Sequence, residues 1–462
     1  MRIRADLTDE IVAGLQGIRS QFKVPGDFPA DVIAAAEAAA QPKPTAARVD
    51  RTQWPFVTLD PATSTDLDQA FHIETSGSDI LLHYAIADVA WFVDDDDPVD
   101  TEAWQRGTTQ YLPDGKAGVY PPVLAEGAAS LLPDGDRPAV VFHVRVGSDG
   151  ACTLAGAERS VIRSHAKLAY ESVTPGQLPP ALSELARRVS AAEDARGAAR
   201  IEPQEQVVRL SARGGYEIDF RPRLQSEDDN AAMSLATNLA IADALFAAGT
   251  GLFRVMAEPD DRAEQRLRHS ARALGIEWPA ATKLRDFQRS LDTSSPKDSA
   301  LLMAIRRASG GASYVPYSPG ARPWHSAVAA TYAHGTAPLR RLADRYVVMA
   351  ALAVANGQAV PDLVSAAFAK LPDVMRRADD TAGQIERAVV DLAEVALLSA
   401  QTQRTLTAVV IDVDDRGSRI QLCNLPVVTR LAANHVAPGD EIRVRVVSTD
   451  IPTRTAKLER VA

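Results

Sequence analysis

The sequence predicts an α+β protein with several domains, and three of its features carry this prediction. The chain has 462 residues, which is too long for one compact core. Strand-like runs dominate residues 50–160, whereas helical periodicity dominates most of residues 180–404, without the regular alternation of an α/β fold. The last stretch, residues 405–462, returns to short strands.

The composition is that of a soluble globular protein, with 46% hydrophobic and 24% charged residues. No apolar run approaches the roughly 18 residues of a transmembrane helix, so we expect no membrane association. Cys152 and Cys423 are too few and too distant for a disulfide framework or a zinc site, which favours a reducing cytoplasm. The net charge of −10 disfavours a surface that binds nucleic acid everywhere, but it is compatible with a basic channel inside an acidic shell.

Residues 1–45 predict a small helical N-terminal domain. A capping start at Thr8 is followed by apolar residues at helical spacing, and residues 31–40 are a second strong helix former. Two helices joined by a turn are compatible with a helix-turn-helix that contacts nucleic acid. Since the second helix has almost no Arg or Lys, a packing appendage is an equally good interpretation. Residues 41–45 are typical of a linker.

The middle of the chain combines strands with later helices. The clearest strands are residues 80–86 and 139–146. The pattern is helical from about 180 to 250, and again over residues 261–308 and 337–404. We therefore expect mixed β-sheets that are followed by helices.

Residues 405–462 predict a small β-barrel of the OB-fold type, because they contain several short strands with turn signals between them. This stretch contains no Phe, Trp or Tyr, so base stacking is not expected from it. Arg443 and Arg445 are its candidates for contact with a nucleic-acid backbone.

An acidic loop follows the apolar run of residues 54–59, which is typical of a short buried strand. Pro61 ends the strand, and the loop can fold back so that Asp60, Asp66 and Asp68 converge. Three ionised carboxylates cannot share one place without a cation between them, and oxygen ligands suit Mg²⁺ or Mn²⁺. The alternative is a solvated Asp-rich turn, because Asp is common in loops.

Six blocks of the chain, in order, resemble the catalytic domain of the RNB exoribonucleases, the family of ribonuclease II and ribonuclease R. The blocks are the run Phe56-Val57-Thr58-Leu59-Asp60 with the spaced Asp66 and Asp68, His83-Tyr84-Ala85-Ile86-Ala87-Asp88-Val89-Ala90, Gly107-Thr108-Thr109-Gln110-Tyr111-Leu112-Pro113, Tyr120-Pro121-Pro122-Val123-Leu124, Tyr332-Ala333-His334-Gly335-Thr336-Ala337-Pro338-Leu339-Arg340-Arg341, and Glu386-Arg387. The resemblance implies a catalytic domain over residues 50–404, flanked by the helical domain 1–45 and by an RNA-binding OB-fold at 405–462. Many relatives carry cold-shock barrels before the catalytic domain, so this chain resembles a short bacterial form.

The resemblance also implies an activity. We expect a 3′→5′ exoribonuclease that hydrolyses single-stranded RNA to nucleoside 5′-monophosphates, as a cytoplasmic monomer without a small-molecule cofactor. One or two Mg²⁺ ions, with Mn²⁺ as the substitute, would activate the attacking water and stabilise the leaving 3′ oxygen. The implied metal ligands are Asp60, Asp66, Asp68 and Gln69. The family motif ends Asp-x-Asp-Asp, so Gln69 is a departure that contributes an oxygen but no charge.

Further residues receive roles from the same resemblance. Asp68 and Asp66 would be catalytic, and Arg340 would neutralise charge in the transition state. Tyr111 would stack on the terminal base, although a Tyr in a turn can be structural. Arg340 and Arg341 begin a helix and would bind phosphate, although they could be surface arginines. Glu386 would lie near the RNA, although a Glu-Arg pair on a helix is usually solvated.

Two other classes of function stay open on the sequence. One is a catalytically silent RNA-binding protein with the same fold, which retention of the acidic residues and Arg340 disfavours. The other is a phosphomonoesterase that uses the Asp66-Leu67-Asp68 pair as nucleophile and acid. Ala70 follows Gln69 where that family has a hydroxyl residue or Val, and the rest of its pattern is missing. Hydrolysis of labelled RNA with and without EDTA separates the exoribonuclease from the silent RNA-binding protein.

Overall fold

The computed structural model describes residues 8–41, 47–133, 135–198, 205–210, 216–221, 223–292, 295–414, 417–432 and 436–461. Residues 42–45 of the predicted linker and residues 1–7 of the predicted N-terminal domain lie outside this description. Within it, no helix combines the length and the apolar character needed to cross a membrane.

A closed five-stranded barrel occupies the first half of the chain. Its strands are β1 (Val49–Asp60), β2 (Gln69–Ser76), β3 (Asp79–Ala87), β6 (Asp136–Val146) and β7 (Cys152–Ala169). Antiparallel pairs connect consecutive strands, and a parallel pairing of β1 with β7 closes the barrel. Phe71, Tyr84 and Phe142 lie opposite one another on three neighbouring strands and are fully buried, so one barrel face packs into the core.

The connection between β3 and β6 carries α3 (Pro98–Arg106) and a hairpin of β4 (Gln110–Leu112) with β5 (Gly115–Ala117). Asp97 caps α3 by accepting from the amide of Asp100 at 2.7 Å, and Pro98 occupies the first turn. Gly107 ends the helix at φ +68°, where a Cβ would come within 2.9 Å of Ala378. The chain therefore turns sharply at Gly107 into the hairpin.

Helices cover much of the remaining middle of the chain. They are α4 (Leu182–Arg196), α5 (Gln225–Ala247), α6 (Asp261–Ala273), α7 (Leu284–Arg289), α8 (Pro296–Ala308), α9 (Leu342–Ala355) and α10 (Asp362–Ser399). The helical prediction for 180–250 was wrong in its centre, where β8 (Glu205–Leu210) pairs with β9 (Tyr216–Arg221). A further antiparallel two-stranded sheet pairs β10 (Leu252–Met256) with β11 (Ala312–Pro316) across the helices α6 to α8.

The C-terminal part is a five-stranded sheet of the predicted OB type. Its order is β14-β13-β12-β15-β16, from β12 (Thr405–Asp414), β13 (Gly417–Leu422), β14 (Val428–Leu431), β15 (Glu441–Asp450) and β16 (Thr455–Val461). The edge strands β14 and β16 contact each other, so the sheet is nearly closed. The predicted α+β class, with mixed sheets and helices before a terminal barrel, is confirmed.

The two N-terminal helices, α1 (Thr8–Gln21) and α2 (Ala30–Ala39), pack into different hydrophobic cores. Ile11, Leu15 and Ile18 of α1 join a core with α10 and the C-terminal sheet. The helix α2 instead packs against α3 and joins the core that contains the barrel residues. A Cβ on Gly14 would lie 2.6 Å from the Leu392 side chain, so α1 approaches α10 closely. In the described residues the two helices are attached to the rest of the chain rather than to a core of their own.

Candidate active site

The acidic loop runs from the end of β1 at Asp60 to the start of β2 at Gln69, and neighbouring polar groups fix its path. The ammonium group of Lys167, on β7, donates to two loop carbonyls. The Ser130 hydroxyl donates to a third carbonyl at 2.7 Å and accepts from the amide of Leu67 at 2.9 Å. Leu67 is fully buried and anchors the loop. The carboxylates on either side of it are thus held by a rigid backbone.

Asp68 is the most buried of the three carboxylates of the acidic loop, with 5% of its surface exposed. One of its carboxylate oxygens accepts from the backbone amide of Leu339 at 2.7 Å. The other lies 3.4 Å from Nε of Arg340, whose side chain is 42% exposed. A residue near the start of the barrel is therefore joined to a segment some 270 positions later.

The negative charge in this site is incompletely compensated. Burial, together with the negative charges of Asp68 and Asp66, raises the pKa of Asp60 to about 7, against the lowering effect of Arg340 and Lys167. Burial likewise raises the pKa of Asp68 to about 7, against the lowering effect of Arg340. The site thus holds desolvated carboxylates that a cation would stabilise, and hard oxygen donors suit Mg²⁺.

Asp66 is paired with a residue that the sequence did not single out. The ammonium group of Lys116 lies 2.8 Å from Asp66 and 3.2 Å from Glu126. The oxygens of Asp60, Asp66 and Asp68 do not all come within 4.8 Å of one another in this arrangement. The three carboxylates therefore do not converge as the sequence predicted, because Asp66 is engaged by Lys116.

Gln69 contacts protein groups with both ends of its amide. Its carbonyl oxygen accepts from the hydroxyl of Tyr84 at 2.7 Å, and its nitrogen donates to the carbonyl of Thr336. Tyr84 and Thr336 are both buried. The predicted metal-ligand oxygen of Gln69 is thus already hydrogen-bonded within the protein.

Tyr111 lies beside the acidic loop on the β4–β5 hairpin. It pairs with Lys116 across the hairpin, and Lys116 contacts Asp66. Tyr111 is 56% exposed, so its ring is available for contact with a ligand. The predicted stacking residue and the acidic loop therefore come together in the fold.

The two adjacent arginines have different surroundings. Arg340 faces Asp68, and its backbone carbonyl accepts from the amide of Thr109 at 3.0 Å and from the Thr108 hydroxyl at 2.9 Å. Arg341 instead forms two hydrogen bonds, at 2.9 and 2.7 Å, with the fully buried carboxylate of Asp344. Arg341 is thus engaged within the protein, whereas Arg340 is presented to the site.

The other predicted RNA contacts lie on separate elements. Glu386 is an exposed residue of α10. Arg443 and Arg445 point from the exposed face of β15, and Arg445 is ion-paired with Glu459. These side chains belong to the long helix and the C-terminal sheet rather than to the acidic loop.

Sequence reasoning missed Lys116, Lys167 and Tyr84 as members of the site. Lys116 could have been found from the local sequence. Pro113 and Asp114 are typical turn residues, and a hairpin around them pairs Tyr111 with Lys116. Lys167 had no such signal, since the parallel pairing of β1 with β7 brings it to the loop. Its position depends on closure of the barrel.

A second acidic group lies elsewhere in the described part of the chain. The oxygens of Asp95, Asp96 and Asp100 are within 4.8 Å of one another. Asp100 is buried and ion-paired with Arg345 at 2.6 Å, and the other two are exposed. The exposure of Asp95 and Asp96 is typical of a solvated acidic loop.

Comparison with known families identifies the catalytic part. The RNB domain family matches residues 48–355, and the RNase II-type exonuclease C-terminal S1 domain matches residues 404–461. The chain belongs to the RNB family. The resemblance that the motifs indicated is therefore confirmed.

Curated relatives of this RNB protein are longer than it is. Ribonuclease R of Escherichia coli (strain K12) is 29% identical over 330 residues, which cover 65% of this chain and 39% of the relative. Ribonuclease R of Thermotoga maritima is 25% identical over 88% of this chain and 61% of the relative. The chain thus matches about 40–60% of the length of these relatives.

Solved structures share the RNB fold at low identity. The apo form of Mycoplasma genitalium RNase R has a TM-score of 0.86 and 19% identity, over 98% of this chain and 78% of that one. The same enzyme has been solved in complex with ribose-methylated single-stranded RNA, with the same TM-score, identity and coverage. Yeast Ssd1, described as a pseudonuclease, has a TM-score of 0.68 and 15% identity, over 88% of this chain and 54% of that one.

Proposed function

We propose that this RNB protein is a 3′→5′ exoribonuclease that hydrolyses single-stranded RNA to nucleoside 5′-monophosphates with the help of Mg²⁺. The observation that carries the proposal is the position of Asp68, which lies buried beside Asp60 and between the Leu339 amide and Arg340. RNB exoribonucleases are generally dependent on a divalent metal. The desolvated carboxylates provide the charge and the oxygen donors that such an ion requires.

The carboxylates of Asp60, Asp66 and Asp68 are the groups that would hold Mg²⁺. When bound, the ion would supply charge neutralisation and activation of water for attack on phosphorus. Arg340, exposed and beside Asp68, is placed to bind a non-bridging phosphate oxygen and to stabilise the charge that develops there. The exposed ring of Tyr111 can stack on a base without sequence preference, as a nonspecific exonuclease requires.

The second candidate is a catalytically silent RNA-binding protein. Gln69 stands where the family motif has a fourth carboxylate, and the RNB fold occurs in yeast Ssd1, described as a pseudonuclease. This function predicts that the protein binds RNA but does not hydrolyse it, whichever divalent metal ion is added.

Hydrolysis of a 5′-labelled, single-stranded oligoribonucleotide tests the proposal. With Mg²⁺ we expect a ladder shortened from the 3′ end and release of nucleoside 5′-monophosphates, and with EDTA we expect no cleavage. Asp68→Asn should lower turnover by roughly 10³-fold or more, because the site loses a negative charge that would help to hold Mg²⁺. Asp373→Asn, which alters an exposed carboxylate on α10, is the matched control.

The outcomes separate the candidates. RNA binding without hydrolysis by the unmodified protein would favour the silent function. Cleavage that persists in EDTA, or near-normal turnover of Asp68→Asn, would contradict the proposed site.

We also propose that the enzyme works as a monomer in the cytoplasm. Its two cysteines, Cys152 and Cys423, are both free thiols in the structure, which suits a reducing compartment. Light scattering after size-exclusion chromatography tests the monomer, and fractionation of cells tests the location.

A further inference from the structure

Gln69 occupies a position in the acidic motif where the chain departs from the family pattern, and its surroundings define what it does. It is the first residue of β2, directly after Asp68, and it is half-buried. Thr336 can only accept at its backbone carbonyl, so the atom of Gln69 that faces it is the amide nitrogen. This leaves the amide oxygen facing the hydroxyl of Tyr84, which donates to it at 2.7 Å. The orientation of the amide is thus fixed from both sides.

Asp68 and Gln69 hold the same distant segment at two points. Gln69 donates to the carbonyl of Thr336, and Asp68 accepts from the amide of Leu339 three residues later. Arg340 is the next residue and lies 3.4 Å from Asp68. The two contacts therefore set where Arg340 stands relative to the carboxylates.

The segment is held at Thr336 by other groups as well. The Thr336 hydroxyl hydrogen-bonds to that of Ser234 at 2.9 Å and accepts from Asn238 at 3.2 Å, and Thr336 is 1% exposed. Asn238 also accepts from the amide of Gly335 at 2.9 Å. Ser234 and Asn238 of α5 thus hold Thr336 from one side, and the Gln69 amide joins the same residue to the acidic loop, in addition to the Asp68–Leu339 contact.

We infer that Gln69 is a positioning residue, which ties the acidic loop to the Thr336–Arg340 segment and thereby places Arg340, rather than a metal ligand. The inference rests on the proposed function of the site. A carboxylate at this position could still accept from Tyr84, but it could not donate to the Thr336 carbonyl and would set two acceptors against each other. The neutral amide of Gln69 therefore has a structural task that a carboxylate at this position could not perform.

Two variants of Gln69, measured in two assays, test the inference. Gln69→Ala removes both contacts, and Gln69→Glu keeps the acceptor but loses the donor. Both should lower kcat about 10- to 100-fold, because Arg340 is then misplaced relative to the reacting phosphate. The Mn²⁺ affinity of the metal-free protein, measured by electron paramagnetic resonance, should stay within about threefold for Gln69→Ala. Loss of even an outer-shell partner of a metal ligand typically costs about 10- to 100-fold, and Gln69 contacts Tyr84 and Thr336 rather than a carboxylate.

Two further variants give controls. Tyr84→Phe releases only the oxygen end of the amide, so its effect on kcat should be in the same direction and smaller than that of Gln69→Ala. Gln358→Ala removes an exposed amide after α9 and should change nothing. Thermal unfolding is recorded for each variant, so that a loss of folded protein is not taken for a loss of turnover.

A double-mutant cycle with Arg340→Met separates positioning from a merely structural role. If Gln69 acts through Arg340, the double variant should lose much less activity than the product of the single losses. A structural role would lower the melting temperature and the active fraction, with fully additive effects. Additive losses, an unchanged kcat for Gln69→Ala, or a tenfold weaker Mn²⁺ affinity would each overturn the inference.

The cycle also distinguishes this inference from the proposed function. If the unmodified protein hydrolyses no RNA in any metal, the proposed function fails. The same four proteins are then compared for affinity to a single-stranded oligoribonucleotide in EDTA. Non-additive losses of affinity would support the positioning of Arg340 by Gln69, and additive losses would refute it.

Discussion

Arg340 and Arg341 are neighbours of the same residue type, and the structure predicts opposite consequences when each is replaced by Met. Arg340 has a side chain that is 42% exposed and a contact of 3.4 Å with Asp68. Arg341 forms a two-point ion pair with Asp344, whose side chain is fully buried. Met keeps much of the side-chain length and removes the charge, so each variant isolates the role of one guanidinium.

The magnitudes follow from burial. Arg341→Met leaves the Asp344 carboxylate buried with the Ala337 amide, at 2.8 Å, as its remaining donor among the described contacts. Breaking a buried pair in this way typically costs about 3–5 kcal/mol. The partly exposed Arg340–Asp68 contact is worth about 1 kcal/mol or less to stability. If Arg340 stabilises charge on the phosphate, its loss should lower kcat by about 10²–10³-fold.

Thermal unfolding and single-stranded RNA hydrolysis, measured on both variants, provide the test. We expect Arg341→Met to melt several degrees lower, with turnover per folded molecule within a few-fold of the unmodified enzyme. We expect Arg340→Met to melt nearly normally and to lose most of its turnover. A stable Arg341→Met that binds RNA poorly, or an Arg340→Met that unfolds as readily as Arg341→Met, would refute this division of roles.

Three other predictions concern the ring, the carboxylates and the first helix. Tyr111→Ala should weaken binding of the RNA 3′ end by about 1–3 kcal/mol and change the length of the final products, whereas Tyr111→Phe should not; an unchanged product ladder would exclude stacking. Asp60 and Asp68 have pKa values near 7, above the usual 3.8. Between about pH 4 and 7 the folded protein therefore binds more protons than the unfolded chain, so the stability of the metal-free protein falls as pH rises through that window. Mg²⁺ should therefore raise the melting temperature more at pH 8 than at pH 5, and equal shifts would show that these carboxylates do not bind it. Leu15→Ala should cost about 2–5 kcal/mol because Leu15 is buried against α10, whereas Val12→Ala on the 39% exposed face should cost less than about 0.5 kcal/mol; equal melting temperatures would contradict that packing.

Patterns that act over a few residues made the fold class and the outline of the site predictable. The run 54–59 became part of β1, and the loop after it holds Asp60, Asp66 and Asp68, because Pro61 and the polar residues that follow cannot extend a strand. The C-terminal strands were equally readable, since β15 alternates buried and exposed residues at a period of two. The pairing of residues 205–210 with residues 216–221 was not predicted, because helical patterns on both sides led to one helical assignment for residues 180–250.

Contacts between distant segments were beyond the reach of sequence patterns. Arg341 and Asp344 are only three residues apart, so their ion pair is a local contact, whereas nothing near Arg340 in the sequence indicates that its guanidinium faces Asp68. The helix that begins at Leu342 turns one side chain inward and leaves the other facing Asp68. Two arginines that look equivalent in the sequence therefore differ in burial and in the carboxylate that each one contacts.

The sequence by itself determined which chemical groups this protein has: three carboxylates in one loop, an aromatic hairpin, an arginine pair and a terminal barrel. The tertiary structure decided how those groups are used. Closure of β1 on β7 brought Lys167 to the loop, and packing against α5 brought Thr336 within reach of Gln69. The physical reason is that side-chain charge and hydrogen-bonding capacity are local properties, whereas burial and partner choice depend on which distant backbone segments the hydrophobic cores bring together.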